Sequence, residues 1–123
     1  MDLSYKLDND EFAPMAARRA VERDLGEALA DQMLATVKSV VNELVTNSVQ
    51  RGPSGSAICL RLELAEDGRV RGEVEDDGKG VQAIREGEST GPVLGLRVVE
   101  ALSESWGFGA GSTRVWFEVA PPG

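Results

Sequence analysis

Two hydrophobic periods organise the 123-residue chain. Near the start, LSYKL alternates apolar and polar positions and reads as a short strand. Pro14 then opens a helical stretch, MAARRAVERDLGEAL. Proline suits a first helical turn because its missing N–H would have no partner there anyway. The pattern puts Ala16 and Ala20 on the buried side, leaves Arg18, Arg19, Glu22 and Arg23 exposed, and makes Gly26 an end or a kink. A second, longer helix runs from Asp31, a good N-cap residue, to Arg51, where Gly52 and Pro53 stop it. Its apolar stripe is Leu34, Val37, Val41, Leu44 and Val45.

After the loop RGPSGS the period changes to two. Ile58, Leu60, Leu62 and Leu64 point one way, Arg61 and Glu63 the other. Asp67–Gly68 predicts a hairpin turn into a second strand that ends near Asp76. Residues 77–94 are glycine-rich, polar and aperiodic, which predicts a long loop. A third helix follows in LGLRVVEALSES, with Leu96, Val99 and Leu102 on its buried side. Two strands close the chain, SWGF and TRVWFEV, joined by GAGS; in the last, Val115, Phe117 and Val119 alternate with Arg114, Trp116 and Glu118. The order β-α-α-β-β-loop-α-β-β predicts one α+β domain over 1–123. Its expected form is a two-layer sandwich, a mixed sheet of about five strands with three helices on one face.

Composition narrows what such a domain can do. With 41% hydrophobic and 28% charged residues it is a globular chain. A formal net charge of −8 argues against direct nucleic-acid binding, which needs a basic face, and against an anionic membrane surface. A phosphate ligand stays open, since backbone amides and a metal ion supply positive potential locally. No apolar run approaches the roughly 20 residues of a membrane span. The polar start MDLSYKLDND is no signal peptide, and Cys59 is the single cysteine, so a reducing, cytoplasmic setting is expected. The absence of histidine removes His-based triads, most zinc sites and a phosphohistidine acceptor within the chain.

Three stretches then carry chemistry. In VVNELVTNSVQRG, Glu43 and Asn47 lie one helical turn apart, separated by only about 40° around the axis. That pair is either a solvated helix side or a proton acceptor beside a metal ligand. An amide oxygen suits Mg²⁺, which takes few protein ligands and keeps phosphates and waters. In VEDDGKGV a strand ends in Asp76-x-Gly78-x-Gly80 with no strand pattern after it. Glycines there permit close approach of backbone to a ligand, and a buried carboxylate accepts from an exocyclic amine. In GPVLGLRVV a glycine-rich loop enters a helix, where unpaired N–H groups and the helix dipole favour phosphates.

In that order and spacing the stretches resemble the GHKL ATPase superfamily (gyrase, heat-shock chaperone, histidine kinase and mismatch-repair ATPases), most of all the small anti-sigma-factor serine/threonine kinases. VVNELVTNSVQRG looks like the N box, VEDDGKG like the adenine-binding box, GPVLGLRVVEALSESWGF like the second glycine box with its helix and strand, and STRVWFEV like the closing strand. The resemblance implies a Bergerat-type ATP-binding fold and a dependence on ATP and Mg²⁺. It implies Glu43 as general base, Asn47 as Mg²⁺ ligand and Asp76 as acceptor from the adenine amino group. Gly78 and Gly80 would lie beside adenine and phosphates, Gly91, Gly95 and Leu96 at the second glycine box, and Thr113 near adenine. Residues between Val81 and Leu94 would form a short lid over ATP. Arg51, standing where the family often has His, and Lys79 are candidate phosphate contacts. Val93 stands where the second glycine box usually has its first Gly.

The same resemblance implies transfer of the γ-phosphate to a Ser or Thr of an anti-sigma-factor antagonist, sequestration of a sigma factor, and a homodimer. A non-catalytic or slowly hydrolysing ATP-binding interaction module of the same fold is the alternative. Arg18 and Arg19 are candidates for partner contact.

Overall fold

The computed structural model describes residues 1–51, 56–77, 94–109 and 114–122, without the side chains of residues 51 and 94–96. The chain runs β1 (Asp2–Asp8), α1 (Ala13–Leu25), α2 (Asp31–Arg51), β2 (Ala57–Leu64), β3 (Val70–Glu75), α3 (Leu94–Leu102), β4 (Ser105–Phe108) and β5 (Arg114–Val119). The strands form one sheet in the order β1-β2-β3-β5-β4. The three helices among the described residues pack on one face of it, and the predicted two-layer α+β sandwich is the observed architecture.

The sheet differs from expectation in one respect: all four pairings are antiparallel rather than mixed. The physical reason is a split crossover. By the pairing directions, α3 returns the chain so that β4 runs parallel to β3, but β5 inserts between them and pairs antiparallel with both.

Alternation assigns the faces. Ile58, Leu60, Leu62, Val70, Val74, Val115, Phe117 and Val119 are buried beneath the helices, and the outward positions carry charge. Across the open face, cross-strand pairs join Arg61 to Glu73 (3.0 Å) and Arg71 to Glu118 (2.8 Å), and the Arg71 guanidinium lies 4.7 Å from the centre of the Trp116 ring. In the β2–β3 hairpin the predicted turn is present: the Gly68 N–H donates to the Ala65 carbonyl, with Gly68 at φ 91°. Only a residue without Cβ adopts that angle cheaply.

The two long helices run antiparallel and bury complementary stripes. On α1 these are Ala13, Ala17, Ala20, Val21 and Leu25; on α2 they are Met33, Val37, Val40, Val41, Leu44 and Val45. Ala20 is inside as expected, but Ala16 is exposed, because Ala13 and Ala17 complete the stripe instead. Leu102, also expected inside, is 38% exposed at the end of α3, while Val99 is buried. Asp31 is the first helical residue rather than the cap, and the Ala30 carbonyl accepts the first intrahelical bond, from Leu34. Gly26 does end α1, its N–H donating to the Glu22 carbonyl.

β1 is tied to α1 by a polar cluster. The Tyr5 hydroxyl donates to Asp24 Oδ2 at 2.5 Å, and Arg23 donates to both oxygens of the same carboxylate at 3.0 and 2.9 Å. Burial, then the bond to Asp24, pushes the Tyr5 phenol up to about 12, and the bonds from Arg23 and Tyr5 hold Asp24 down at about 2. Asp24's contribution to stability is therefore full above the ordinary carboxylate value of 3.8 and is lost as pH falls through about 2. That of Tyr5 is full below 10.0 and is lost as pH rises through about 12. In denaturant titrations at pH 7 to 12, Tyr5→Phe should shed the part of the alkaline stability loss that wild type shows above pH 10. Identical alkaline profiles would remove the phenol from this account.

Candidate functional site

Helix α2 is the scaffold of the site. Val41, Leu44 and Val45 are at most 1% exposed. Burying each such side chain contributes about 1.5–3 kcal/mol, against about 0.2–0.5 kcal/mol for an exposed polar pair one turn apart. The apolar stripe thus decides the rotation of the helix, and the half-buried Glu43 and Asn47 take the direction it leaves them.

Register places the remaining pieces. Asp8, Ala57, Glu75 and Arg114 share one end of the sheet. The last turn of α2 reaches that end, because the backbone N–H of Asn9 meets the Ser56 carbonyl at 2.8 Å and its side chain meets the Ser48 carbonyl. Asp76 follows β3 there and is 8% exposed. Helix α3, which packs against α2, begins at this end and carries the chain back to Ser105, opposite Glu118. Asn47, Asp76 and the first turn of α3, with Gly95 and Leu96, therefore gather at one end of the domain. Gly78, Lys79, Gly80, Gly91 and Thr113, and the side chain of Arg51, lie outside the described residues.

The gathered groups suit a magnesium nucleotide. Among the described residues no three His, Cys, Asp or Glu side chains converge on a common point, so a metal here would not sit in an all-protein cage. Mg²⁺ is commonly held by one or two protein oxygens together with phosphates and water, and the Asn47 amide is an oxygen donor of that kind. The first turn of α3 carries no acidic residue, so nothing there opposes phosphates at its N–H groups.

Beside Glu43 lies a cleft of about 400 Å³ between α1 and α2, lined by Arg18, Ala35, Lys38, Ser39, Asn42 and Glu43. Positions 35, 39 and 43 follow one ridge of α2, and the same four-residue step continues to Asn47. Arg18 is half-buried, not exposed as its position in the helical pattern suggests, and donates to Asn42 Oδ1. Lys38 is paired with Glu22 at 3.1 Å. Lys38, Ser39 and Asn42 were not singled out by the sequence pattern; they become visible only when α1 is laid against α2. A second recess, of about 330 Å³ on the open sheet face, contains none of the predicted site residues.

Comparison with known proteins settles the family. Residues 34–123 match the model described as histidine kinase-, DNA gyrase B-, and HSP90-like ATPase. The chain belongs to this ATPase family. The match begins within the first turn of α2, takes in Glu43 and Asn47, and runs past the last strand. No curated protein matches the chain. Among solved structures it is similar to the crystal structure of the RsbU and RsbW domains of Rv1364c from Mycobacterium tuberculosis, with 26% identity and a TM-score of 0.71. The likeness covers 97% of this ATPase-family chain and 31% of the other. Among the described residues, no helix is long and apolar enough to cross a membrane.

Proposed function

We propose that this single-domain chain is an ATP- and Mg²⁺-dependent protein serine/threonine kinase of the anti-sigma-factor type. It would act in the cytoplasm, as a homodimer, on transcription. Its acceptor would be a Ser or Thr of an anti-sigma-factor antagonist, and its other partner a sigma factor. One observation carries the reading: Glu43 lines the α1–α2 cleft, a single helical turn from Asn47. A protein hydroxyl entering the cleft approaches Glu43 from one side while the nucleotide lies on the other. Family membership and the likeness to a structure containing an RsbW domain support it.

In this reading Asp76 accepts from the adenine amino group. Gly78, Gly80 and Gly91 let the backbone approach the nucleotide, with Thr113 near adenine. The N–H groups around Gly95 and Leu96 hold the phosphates, and Lys79 and Arg51 contact them. Asn47 would hold Mg²⁺, which when bound would supply charge neutralisation at the phosphates. Glu43 takes the proton of the acceptor hydroxyl. The hydroxyl oxygen bonds to the γ-phosphorus as the bond from that phosphorus to the β–γ bridging oxygen breaks, and ADP leaves. Positioning and charge neutralisation supply most of the acceleration in such transfers.

Val93 and Arg51, which depart from the usual motifs, favour the second reading, an ATP-binding module with little or no catalysis. Incubation with γ-labelled ATP, Mg²⁺ and the cognate antagonist separates the two. The kinase reading expects label on the antagonist. Normal ATP binding with no label on it leaves the module.

A further inference from the structure

Among the described residues, the site reading leaves two buried polar residues unused, Asn9 and Ser48. Asn9, just past β1, is 2% exposed, and both hydrogens of its amide are committed. Nδ2 lies 3.2 Å from the Ser48 carbonyl and 3.2 Å from Ser56 Oγ, and its backbone N–H donates to the Ser56 carbonyl. The end of β1 is thereby joined to two segments 39 and 47 residues further on, the last turn of α2 and the entry to β2.

The carbonyl it caps matters. Helix α2 ends at Arg51, so Ser48 stands in its last turn, and its carbonyl accepts the bond from Asn9 that ties this turn to the end of β1. Ser48 is also the neighbour of Asn47, and it is 0% exposed, its Oγ making no hydrogen bond among the described residues. The Ser48 side chain therefore supplies no hydrogen bond that would hold the last turn. The clamp from Asn9 does.

We infer that Asn9 is a positioning residue for the metal side of the site: by capping the Ser48 carbonyl it holds the turn that carries Asn47, and so sets the direction of the Asn47 amide. This rests on the reading of Asn47 as the Mg²⁺ ligand. It assigns Asn9 no contact with nucleotide or metal. Groups that orient a metal ligand typically change metal affinity by about 10–100-fold when removed.

The test is a MgCl₂ titration of fluorescent N-methylanthraniloyl-ATP binding, with a melting curve for each variant. Asn9→Ala removes the donors. Asn9→Leu removes them while filling a similar volume, and serves if the smaller residue leaves the chain unfolded. Both should raise the MgCl₂ midpoint about tenfold and leave binding in EDTA within about twofold of wild type. Ser56→Ala removes the other acceptor but keeps the clamp on Ser48, and should leave the midpoint in place. A lower melting temperature with an unmoved midpoint overturns the inference and makes Asn9 a fold residue only. Asn47→Ala keeps the two readings apart. If it fails to shift the midpoint, the Asn47 assignment falls and takes this inference with it; if it shifts while the Asn9 variants do not, only this inference falls.

Discussion

Glu43→Ala is expected to lower phosphoryl transfer to the antagonist by about 10²–10⁴-fold, the usual weight of a general base, and to leave ATP affinity nearly unchanged. The separation follows from where Glu43 sits. It lines the α1–α2 cleft with Arg18, Lys38 and Asn42, on the acceptor's side of the ridge, and no step of nucleotide binding in the proposed mechanism uses it. Its loss should not disturb the fold, because Leu44 and Val45 next to it carry the packing and Glu43 is only half-buried. Substitutions of that kind usually stay within about 0.5 kcal/mol. Single-turnover transfer from γ-labelled ATP, beside a nucleotide-binding titration, reads both quantities. Undiminished transfer by the variant would take Glu43 out of the chemistry, and parallel loss of ATP binding would place it with the nucleotide instead.

The largest effects on stability are expected at Gly72 and Phe117, which face each other across β3 and β5. A Cβ built at Gly72 would stand 2.3 Å from Phe117 Cζ and 2.9 Å from Leu62 Cδ2. The phenyl ring, 0% exposed, occupies the space a side chain would take. Two effects oppose each other in Gly72→Ala. Removing a flexible glycine from a strand gains roughly 0.5–1 kcal/mol, whereas overpacking a filled core costs about 1–3 kcal/mol. Overpacking should win, since both Phe117 and Leu62 must give way. Phe117→Ala should cost about 3–5 kcal/mol by leaving a cavity. The two changes together should cost less than their sum, because the added methyl enters the vacated volume and neighbours in contact do not add. Urea midpoints at unchanged slope measure all three. A stabilised Gly72→Ala, or strict additivity, would show that the ring moves aside and that the close contact carries no energy.

How far the site was legible depends on what kind of information placed each residue. Helix α2 was bounded correctly, Asp31–Arg51, because its apolar period and the Gly52–Pro53 stop signal are local, although Asp31 is the first helical residue and not the cap the sequence suggests. The strands were legible for the same reason: alternation is a property of a strand and its own two faces. Glu43 and Asn47 could be paired from sequence, since four residues on a helix fix their relative direction. Ala16 and Leu102 were misplaced because a short amphipathic run allows two neighbouring stripes, and the facing element selects one.

Arg18 looked like a free surface cation, and its bond to Asn42 depends on a helix 24 residues away. Asn9 gave no signal at all. An asparagine after a strand reads as a turn residue until the Ser48 carbonyl is beside it.

The sequence by itself determined the elements, the buried faces of α2 and of the strands, the exclusion of histidine chemistry and the ordered stretches that mark the ATPase family. Those are local or compositional properties. The tertiary structure decided that the sheet is wholly antiparallel, that Asn47, Asp76 and the start of α3 share one end, and that Glu43 opens into a cleft made by a second helix. Each of these turns on which distant segments pair. That choice follows from how the buried faces fill space together, with β5 seated between β3 and β4 and Phe117 over Gly72, and no period along one segment contains it.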